Sequence, residues 1–288
     1  MMKTDLDHLP PQKQREIERV VQLIFEEFED AFMEAHTAYM PAPNSFSRGL
    51  HLKSVIAKFP IGDRTCDYAY LAKTSVEWEL TLVELEDSAK RIFKPSSKNE
   101  AFTSEFNDAI AQIEVWRDFV DNHPQQIREK LRPLLVPPQM ASNKLRVQYL
   151  LIYGRSDEIE QHERRRQRLA GVREKHGISV LTYDTVKRMA ERGESKAKAV
   201  LRATSRGYLM QSAEAAPEGI FAYVGTEHLE LSSSAEQSLR DDHYDIDAWK
   251  GGRMLGYNER YPIPTDEERS VMIQEMIARS VEQARPSE

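Results

Sequence analysis

The chain lacks the features of secreted and membrane proteins. Its 288 residues include a single cysteine, Cys66, which excludes an internal disulfide framework and a cysteine-rich zinc site. It has no run of about 18 apolar residues, so we expect no membrane-spanning helix and no membrane partner. The first residues carry no apolar stretch of the kind that a secretory signal needs. We therefore expect a cytoplasmic protein.

The chain also lacks the net positive charge that is typical of nucleic-acid-binding proteins. Its 40 Lys and Arg residues stand against 47 Asp and Glu residues, which gives a net charge of −7. The charges are unevenly distributed, because the stretch from Arg155 to Arg202 has 13 basic and 8 acidic residues and so carries +5. The remainder therefore carries −12. This pattern permits a local basic track for a polyanion, although the net charge alone does not indicate one.

Two segments are rich in aromatic and aliphatic residues, and together they predict a β-hairpin. Residues 66–73 and 78–86 are these segments, and four residues connect them. If Lys73 pairs with Trp78 across the connection, the numbers of all paired residues in the hairpin sum to 151. The register of the predicted hairpin is thereby fixed.

This register brings carboxylates together at one end of the hairpin. Asp67 lies directly opposite Glu84, with Cβ atoms about 5 Å apart, and Glu86 shares the face of Glu84 because side chains alternate with period two. Opposed like charges repel, and a divalent cation removes the repulsion because Mg²⁺ prefers hard carboxylate oxygens. The spacing therefore predicts a metal site of the kind that a metal-dependent nuclease needs.

Both faces of the predicted hairpin are apolar next to these charges. The carboxylate face carries Ala69, Leu71, Leu80 and Leu82, and the other face carries Tyr68, Tyr70, Val83 and Leu85. Strands that are buried on both faces belong inside a sheet covered by helices, so the charged end is expected to open at a cleft. The alternative is a solvated hairpin end with three surface acids, and the apolar run that these acids terminate favours the metal site.

The remaining periodic segments predict helices on either side of a sheet. Helical spacing of apolar residues predicts helices over 12–38, 103–122, 125–135 and 157–175. Strand patterns cover 51–59, 145–153 and 178–183, and the strand–helix–strand order from 145 to 183 predicts a parallel βαβ unit. Beyond residue 203 the pattern weakens, with one or two short strands within 219–231 and a capping box at Thr265–Glu268 that opens a final helix to about Val281.

In this order the segments resemble the PD-(D/E)xK nuclease fold, and more closely the nuclease domain of the Shedu anti-phage defence proteins. The resembling stretches are DYAYL (67–71), LVELEDSAKRIF (82–93), AIAQIEVWRDFV (109–120), YLLIYGRS (149–156) and ISVLTYDTV (178–186). They cover residues 50 to 195, and the resemblance does not reach the first 40 residues or the C-terminal extension.

The resemblance implies an α/β fold with a restriction-endonuclease-like mixed sheet flanked by helices. The nuclease domain is expected over residues 46–200, and the helical periodicity before it predicts a helical N-terminal segment over 1–45. An α+β extension that ends in a helix occupies residues 201–288.

Three residues match site positions of the family. Asp67 matches the first metal-binding acid, and Glu84 matches the acid of the second motif. Gln112 matches a glutamine on the helix, which in the family reaches back towards the metal site. The implied cofactor is Mg²⁺ or Mn²⁺.

Glu86 departs from the wider superfamily, which usually has lysine at this position. The resemblance implies that Glu86 is a further metal ligand or accepts the proton of the attacking water. Lys90 or Lys94, in the following loop, would then supply the positive charge. Arg155 follows a core strand, where an arginine suits a phosphate contact, although an ordinary arginine at a helix start is an equal alternative.

The implied function is a Mg²⁺-dependent DNA endonuclease that nicks or cleaves phosphodiester bonds in anti-phage defence. The alternative is a catalytically silent or regulated DNA-binding or scaffold subunit on the same fold, which the missing motif lysine and the negative net charge favour. We also expect a homo-oligomer, in which the N-terminal and C-terminal helices pair between chains.

Overall fold

The computed structural model describes most of the chain after residue 36. The described residues are 37–41, 49–95, 99–160, 162–192, 196–215, 217, 219–257 and 260–283. The helix predicted over residues 12–38 therefore lies outside the described residues, apart from its last two positions.

Eight strands of the described chain form one mixed sheet. The strands are β1 (Ser54–Ile61), β2 (Arg64–Lys73), β3 (Glu77–Leu85), β4 (Lys144–Ile152), β5 (Ile178–Leu181), β6 (Ala199–Ala203), β7 (Tyr208–Ala213) and β8 (Leu229–Leu231). Their order across the sheet is β5-β4-β3-β2-β1-β6-β7-β8. The pairs β1–β2, β2–β3 and β6–β7 are antiparallel, and the other neighbours are parallel. The predicted α/β class with a mixed sheet is confirmed.

Helices pack on this sheet, and further helices follow its last strand, β8, in the sequence. They are α1 (Ser104–Asn122), α2 (Pro124–Leu131), α3 (Asp157–Glu160), α4 (Glu163–His176), α5 (Tyr183–Glu191), α6 (Ile220–Tyr223), α7 (Ser233–Asp241), α8 (Ile246–Lys250) and α9 (Asp266–Gln283). The helix predicted over 157–175 is divided into α3 and α4, and the one predicted over 125–135 ends as an α-helix at Leu131. Within the described residues, no helix is both long and apolar enough to cross a membrane.

The predicted hairpin register is confirmed by the pairing of β2 with β3. Lys73 pairs with Trp78, and Tyr68 pairs with Val83, so both pairs sum to the predicted 151. Thr74 closes the connection, because its Oγ1 accepts the backbone N–H of Glu77 at 3.2 Å. The parallel pairing of β4 with β5 confirms the predicted βαβ unit.

Two apolar clusters lie on the two sides of the hairpin, as predicted. One includes Ala69, Leu71, Leu80 and Leu82 together with Phe106, Ala109, Ile113 and Trp116 of α1. The other includes Val55, Tyr68, Tyr70 and Val83 together with Tyr183 and Val186 of α5. The hairpin is therefore buried between helices, which leaves only its ends for polar chemistry.

The sheet continues past the boundary that the sequence suggested at residue 200. Strand β6 spans that boundary and pairs in parallel with β1, so that Ser54 lies beside Ala199. The segment 219–231 contains one strand, β8, and the short helix α6 rather than a second strand. The division into domains stays a prediction.

The final helix begins with the predicted capping box. The N–H of Thr265 donates to the carboxylate of Glu268 at 2.7 Å, and the N–H of Glu268 donates to Oγ1 of Thr265 at 3.2 Å. This reciprocal pair satisfies two backbone donors of the first turn and fixes the start of α9.

Candidate metal and catalytic site

The candidate site lies at the end of the β2–β3 hairpin, under α1. The ladder between β2 and β3 ends at the pair Tyr68 and Val83, and the next position in this register places Asp67 opposite Glu84. Thr103 caps α1 by accepting the N–H of Phe106 at 3.2 Å, and the apolar stripe of this helix packs on the hairpin. Gln112 flanks the stripe, and its Nε2 donates to Oε1 of Glu84 at 2.5 Å. The structure thus brings Asp67, Glu84 and Gln112 together.

Both carboxylate oxygens of Asp67 already have donors. Oδ2 accepts the backbone N–H of Leu85 at 2.8 Å, and Oδ1 accepts the ammonium of Lys58 at 2.8 Å. The first contact fixes Asp67 against the end of β3, because the donor belongs to the residue after Glu84. The side chain of Asp67 is therefore held at the point where the ladder ends.

Glu84 is a buried acid, with only 7% of its surface exposed. Burial raises its pKa to about 9, and the negative charges of Asp67 and Glu86 and a hydrogen bond with Asp67 act in the same direction. The nearby Lys58 ammonium opposes this rise. Burial and the neighbouring acids therefore favour the protonated form of Glu84.

Glu86 lies just beyond β3 and has a fixed backbone. Its N–H donates to the carbonyl of Ile152 at 2.9 Å, and its carbonyl accepts the hydroxyl of Tyr183 at 2.7 Å. Its carboxylate forms an ion pair with Lys90, four residues later. The hydrogen bond from Lys90 to Glu86 raises the pKa of Lys90 above its ordinary value. The positive charge of Lys90 therefore lies beside Glu86.

Lys94 lies farther along the same loop and is exposed. Its backbone N–H donates to the carbonyl of Ala101 at 2.9 Å. Within the described part of the chain, its side chain has no hydrogen bond or ion pair with the acids of the site. The structure therefore does not bring Lys94 to Asp67 or Glu84.

Arg155 lies after the carboxyl end of β4, as the sequence indicated. Its guanidinium forms an ion pair with Asp184 at 3.3 Å, and the same carboxylate accepts the N–H of Ser156 at 2.7 Å. About half of the Arg155 side chain is exposed. A polyanion at this edge therefore competes with Asp184 for Arg155.

The loop after Glu86 is held by two features of the segment that follows β4. The buried carboxylate of Glu158 accepts the N–H groups of Ile92 and Phe93 at 3.2 and 3.1 Å. Gly154 has a φ of +57°, and a Cβ at this position would lie 2.6 Å from the carbonyl oxygen of Lys90. The close approach of the two loops therefore requires glycine at position 154.

The sequence interpretation missed Lys58, which contacts Asp67. The sequence contained a signal for the position of Lys58, because Gly62 and Asp63 form a two-residue turn between β1 and β2. A turn of this length fixes the register of the two strands. Paired residues of these two strands sum to 125, as Ile56 with Ala69 does, and this register places Lys58 opposite Asp67.

Strand β1 changes the orientation of its side chains at Lys58. Before this residue, Ile56 belongs to the cluster that includes α1, and Ala57 belongs to the opposite cluster. After it, Phe59 and Ile61 belong to the same cluster as Ile56, which a strict period of two does not allow. Lys58 has a φ of +48°, in the left-handed region, and this conformation accounts for the change of face.

The chemistry of these side chains fits a hard divalent cation. Among the described residues, no group of three His, Cys, Asp or Glu side chains is arranged to hold a metal ion. Mg²⁺, however, is commonly held by one or two carboxylates and completes its coordination with water and substrate phosphate. The carboxylates of Asp67 and Glu84, opposed in the hairpin register, are two hard oxygen donors of the kind that such a site uses.

A comparison with protein families supports the resemblance. A family model described as "Shedu protein SduA, C-terminal" matches residues 15–186, which is more than half of the chain. The match begins at residue 15, so the sequence interpretation was wrong in leaving residues 15–40 outside the family. A search of curated proteins finds no match to the chain.

Proposed function

The chain belongs to the Shedu SduA family, and on this premise and the geometry of the acid pair we propose that it is a Mg²⁺-dependent DNA nuclease. Family membership supports a role in anti-phage defence. The observation that carries the proposal is the close pair of Asp67 and Glu84 at the end of a buried hairpin, with Gln112 bonded to Glu84. The proposal includes a restriction-endonuclease-like sheet, DNA as substrate and a homo-oligomeric assembly.

Asp67 and Glu84 would hold the Mg²⁺ or Mn²⁺ ion. When bound, the ion supplies a lowered pKa for a coordinated water and charge neutralisation at the phosphate. Gln112 fixes the carboxyl of Glu84 through its hydrogen bond, and the Leu85 N–H fixes that of Asp67. These two contacts pre-organise the acids before an ion or a phosphate arrives.

Glu86 would act beside this pair as a further ligand or as the acceptor of the water proton. Its backbone is anchored at both the N–H and the carbonyl, so the carboxylate projects from a fixed point. The ion pair with Lys90 holds the carboxylate of Glu86 in place. Arg155 would bind a phosphate of the DNA backbone by exchanging its contact with Asp184.

A catalytically silent or regulated DNA-binding subunit is the second candidate. The observation that favours it is that Asp67 and Glu86 already form ion pairs with lysines, Lys58 and Lys90. An acid site that lysines neutralise can persist as a structural element without binding a cation. Metal-dependent cleavage of DNA distinguishes this candidate from the nuclease.

The test is cleavage of supercoiled and linear DNA by the wild-type protein and by Glu84→Ala, with Mg²⁺ or with EDTA. The matched control is Glu77→Ala, which removes a carboxylate from the other end of the same strand. We expect cleavage that requires both Mg²⁺ and Glu84 and survives in the control, and the products will separate nicking from double-strand cutting and end trimming. DNA binding without cleavage would support the silent subunit.

A further inference from the structure

We infer that Lys58 supplies the positive charge that the wider superfamily takes from the lysine at the position of Glu86. Specifically, its ammonium contacts a non-bridging oxygen of the phosphate that is cut. This inference rests on the proposed nuclease function and names a catalytic residue in the same site. It replaces Lys90 and Lys94, which the sequence had suggested for this role.

Lys58 lies beside the acid pair of the site. Strand β1 lies next to β2, on the side away from β3, and Lys58 is opposite Asp67 in the register of this pair. Its Nζ atom lies 2.8 Å from Oδ1 of Asp67, and its charge also acts on Glu84. The ammonium is therefore already beside both of the acids that would hold the ion.

The backbone of Lys58 has an unusual conformation that also supports this role. The left-handed conformation is unfavourable for an L-residue other than glycine or asparagine, and lysine has no special tolerance for it. Such conformations persist where the surroundings enforce them, and they are concentrated at functional sites. At Lys58 the conformation reverses the alternation of β1 beside Asp67, so the strain lies where the ammonium meets the acid pair.

The other two candidate lysines, Lys90 and Lys94, have different surroundings. The ammonium of Lys90 is bound by Glu86 in an i,i+4 ion pair, and this pair neutralises the acid that occupies the motif position. Lys94 is exposed and is not brought to the pair of acids. Of the three lysines, Lys58 is the one whose ammonium contacts Asp67.

The role of Lys58 in hydrolysis follows from charge. A water oxygen forms a bond to phosphorus, the bond from phosphorus to one ester oxygen breaks, and both electrons of that bond leave with the ester oxygen. The water proton passes to Glu86, and the leaving oxygen takes a proton from solvent. Negative charge grows on the phosphoryl oxygens in the transition state, and an ammonium ion beside them stabilises it.

The test uses substitutions that respect the backbone of position 58. Lys58→Asn removes the charge while asparagine tolerates the left-handed conformation, so this variant is expected to fold at least as well as the wild type. Lys58→Arg retains a positive charge at the same position. Lys187→Met is the control, because it removes a lysine from α5 that pairs only loosely with Glu191, at 3.8 Å.

The measurements are the single-turnover rate of DNA cleavage, the affinity for Mn²⁺ by calorimetry and the melting temperature. We expect Lys58→Asn to cleave on the order of 100-fold more slowly, with unchanged or tighter Mn²⁺ binding because Asp67 loses a competing cation. Lys58→Arg should recover part of the rate, and Lys187→Met should cleave like the wild type.

Two outcomes would overturn the inference. Cleavage by Lys58→Asn within a few-fold of the wild-type rate would show that the ammonium does not act on the phosphate. A slow variant that has also lost Mn²⁺ binding or melts early would show that Lys58 only holds Asp67 in place. In both cases wild-type cleavage that depends on Glu84 would leave the proposed nuclease intact, whereas a wild-type protein that cuts no DNA would remove the proposed function itself.

Discussion

The amide of Gln112 donates a 2.5 Å hydrogen bond to the carboxyl of Glu84, and this contact joins helix α1 to the end of strand β3. The donor comes from the flank of a buried apolar stripe, so its position is set by core packing. The acceptor is the buried acid that the account assigns to metal binding. The relationship therefore couples the packing of the helix to the orientation of the proposed ligand.

Removal of this contact should impair cleavage more than it impairs folding. We expect Gln112→Ala to lower the cleavage rate about 10- to 100-fold, while the free energy of unfolding falls by only about 1 kcal/mol, the usual net value of one hydrogen bond. Single-turnover kinetics and urea denaturation measure the two effects. Gln125→Ala, at an exposed position of α2, serves as the control. Equal cleavage by Gln112→Ala and this control would contradict the assigned role.

Alanine should have opposite effects at two glycines of the same region. Gly154→Ala meets the carbonyl of Lys90 and enforces a positive φ on alanine, so we expect a loss of about 2 kcal/mol in unfolding free energy. Gly171→Ala lies in α4 with no atom within 4 Å of its new Cβ, and it should add about 0.5–1 kcal/mol. Thermal or urea unfolding measures both changes. A stable Gly154→Ala protein with unaltered cleavage would show that the two loops do not need this close approach.

His51 should make the protein less stable in mild acid. Burial, followed by the charge of Lys73, lowers the pKa of His51 from 6.5 to about 3, and its Nε2 lies 2.9 Å from the carbonyl of Leu134. The unfolded state therefore binds more protons than the native state below pH 6.5. Stability from this group is complete above pH 6.5 and falls as the pH decreases towards 3, by up to about 1.4 kcal/mol per pH unit.

Urea denaturation between pH 7.5 and 4.5 tests this dependence. The comparison is with His51→Gln, which lacks the titrating group and should show a flatter profile through pH 6.5. Because other groups titrate in both proteins, the difference between the two profiles isolates His51. Parallel profiles would mean that His51 is not held neutral by the fold.

Arg155 should contribute one phosphate contact to DNA binding. We expect Arg155→Ala to weaken binding in EDTA for all sequences alike, and to reduce the slope of log K against log salt concentration by about 1. Arg206→Ala, an exposed arginine of the β6–β7 connection paired with Glu230, is the control. An unchanged slope for Arg155→Ala would leave its ion pair with Asp184 as a purely structural contact.

The hairpin and α1 were predictable from sequence because their signals are local. Alternation with period two and a short connection determine which residues of β2 and β3 are paired, and apolar residues at helical spacing predicted α1. Local chemistry therefore sufficed to place Asp67 and Glu84 at one end of the hairpin.

Other parts of the sheet and site depend on contacts that are distant in sequence. Strand β6 pairs with β1 although Ser54 and Ala199 are separated by about half of the chain, and the sequence of a short strand does not indicate which strand it pairs with. The left-handed backbone of Lys58 likewise has no signature in the sequence, although the short β1–β2 turn indicates that Lys58 lies opposite Asp67. The tertiary contacts of the surrounding strands determine both features.

The account depends most directly on Asp67 and Glu84 acting together with a divalent cation. The measurement is the cleavage rate as a function of Mg²⁺ concentration for the wild type, Asp67→Asn and Glu84→Gln, which preserve the shape of each side chain. We predict a saturable rate for the wild type, no cleavage in EDTA and a rate at least about 100-fold lower for both variants at every concentration. Cleavage in EDTA, or wild-type rates in either variant, would contradict the account.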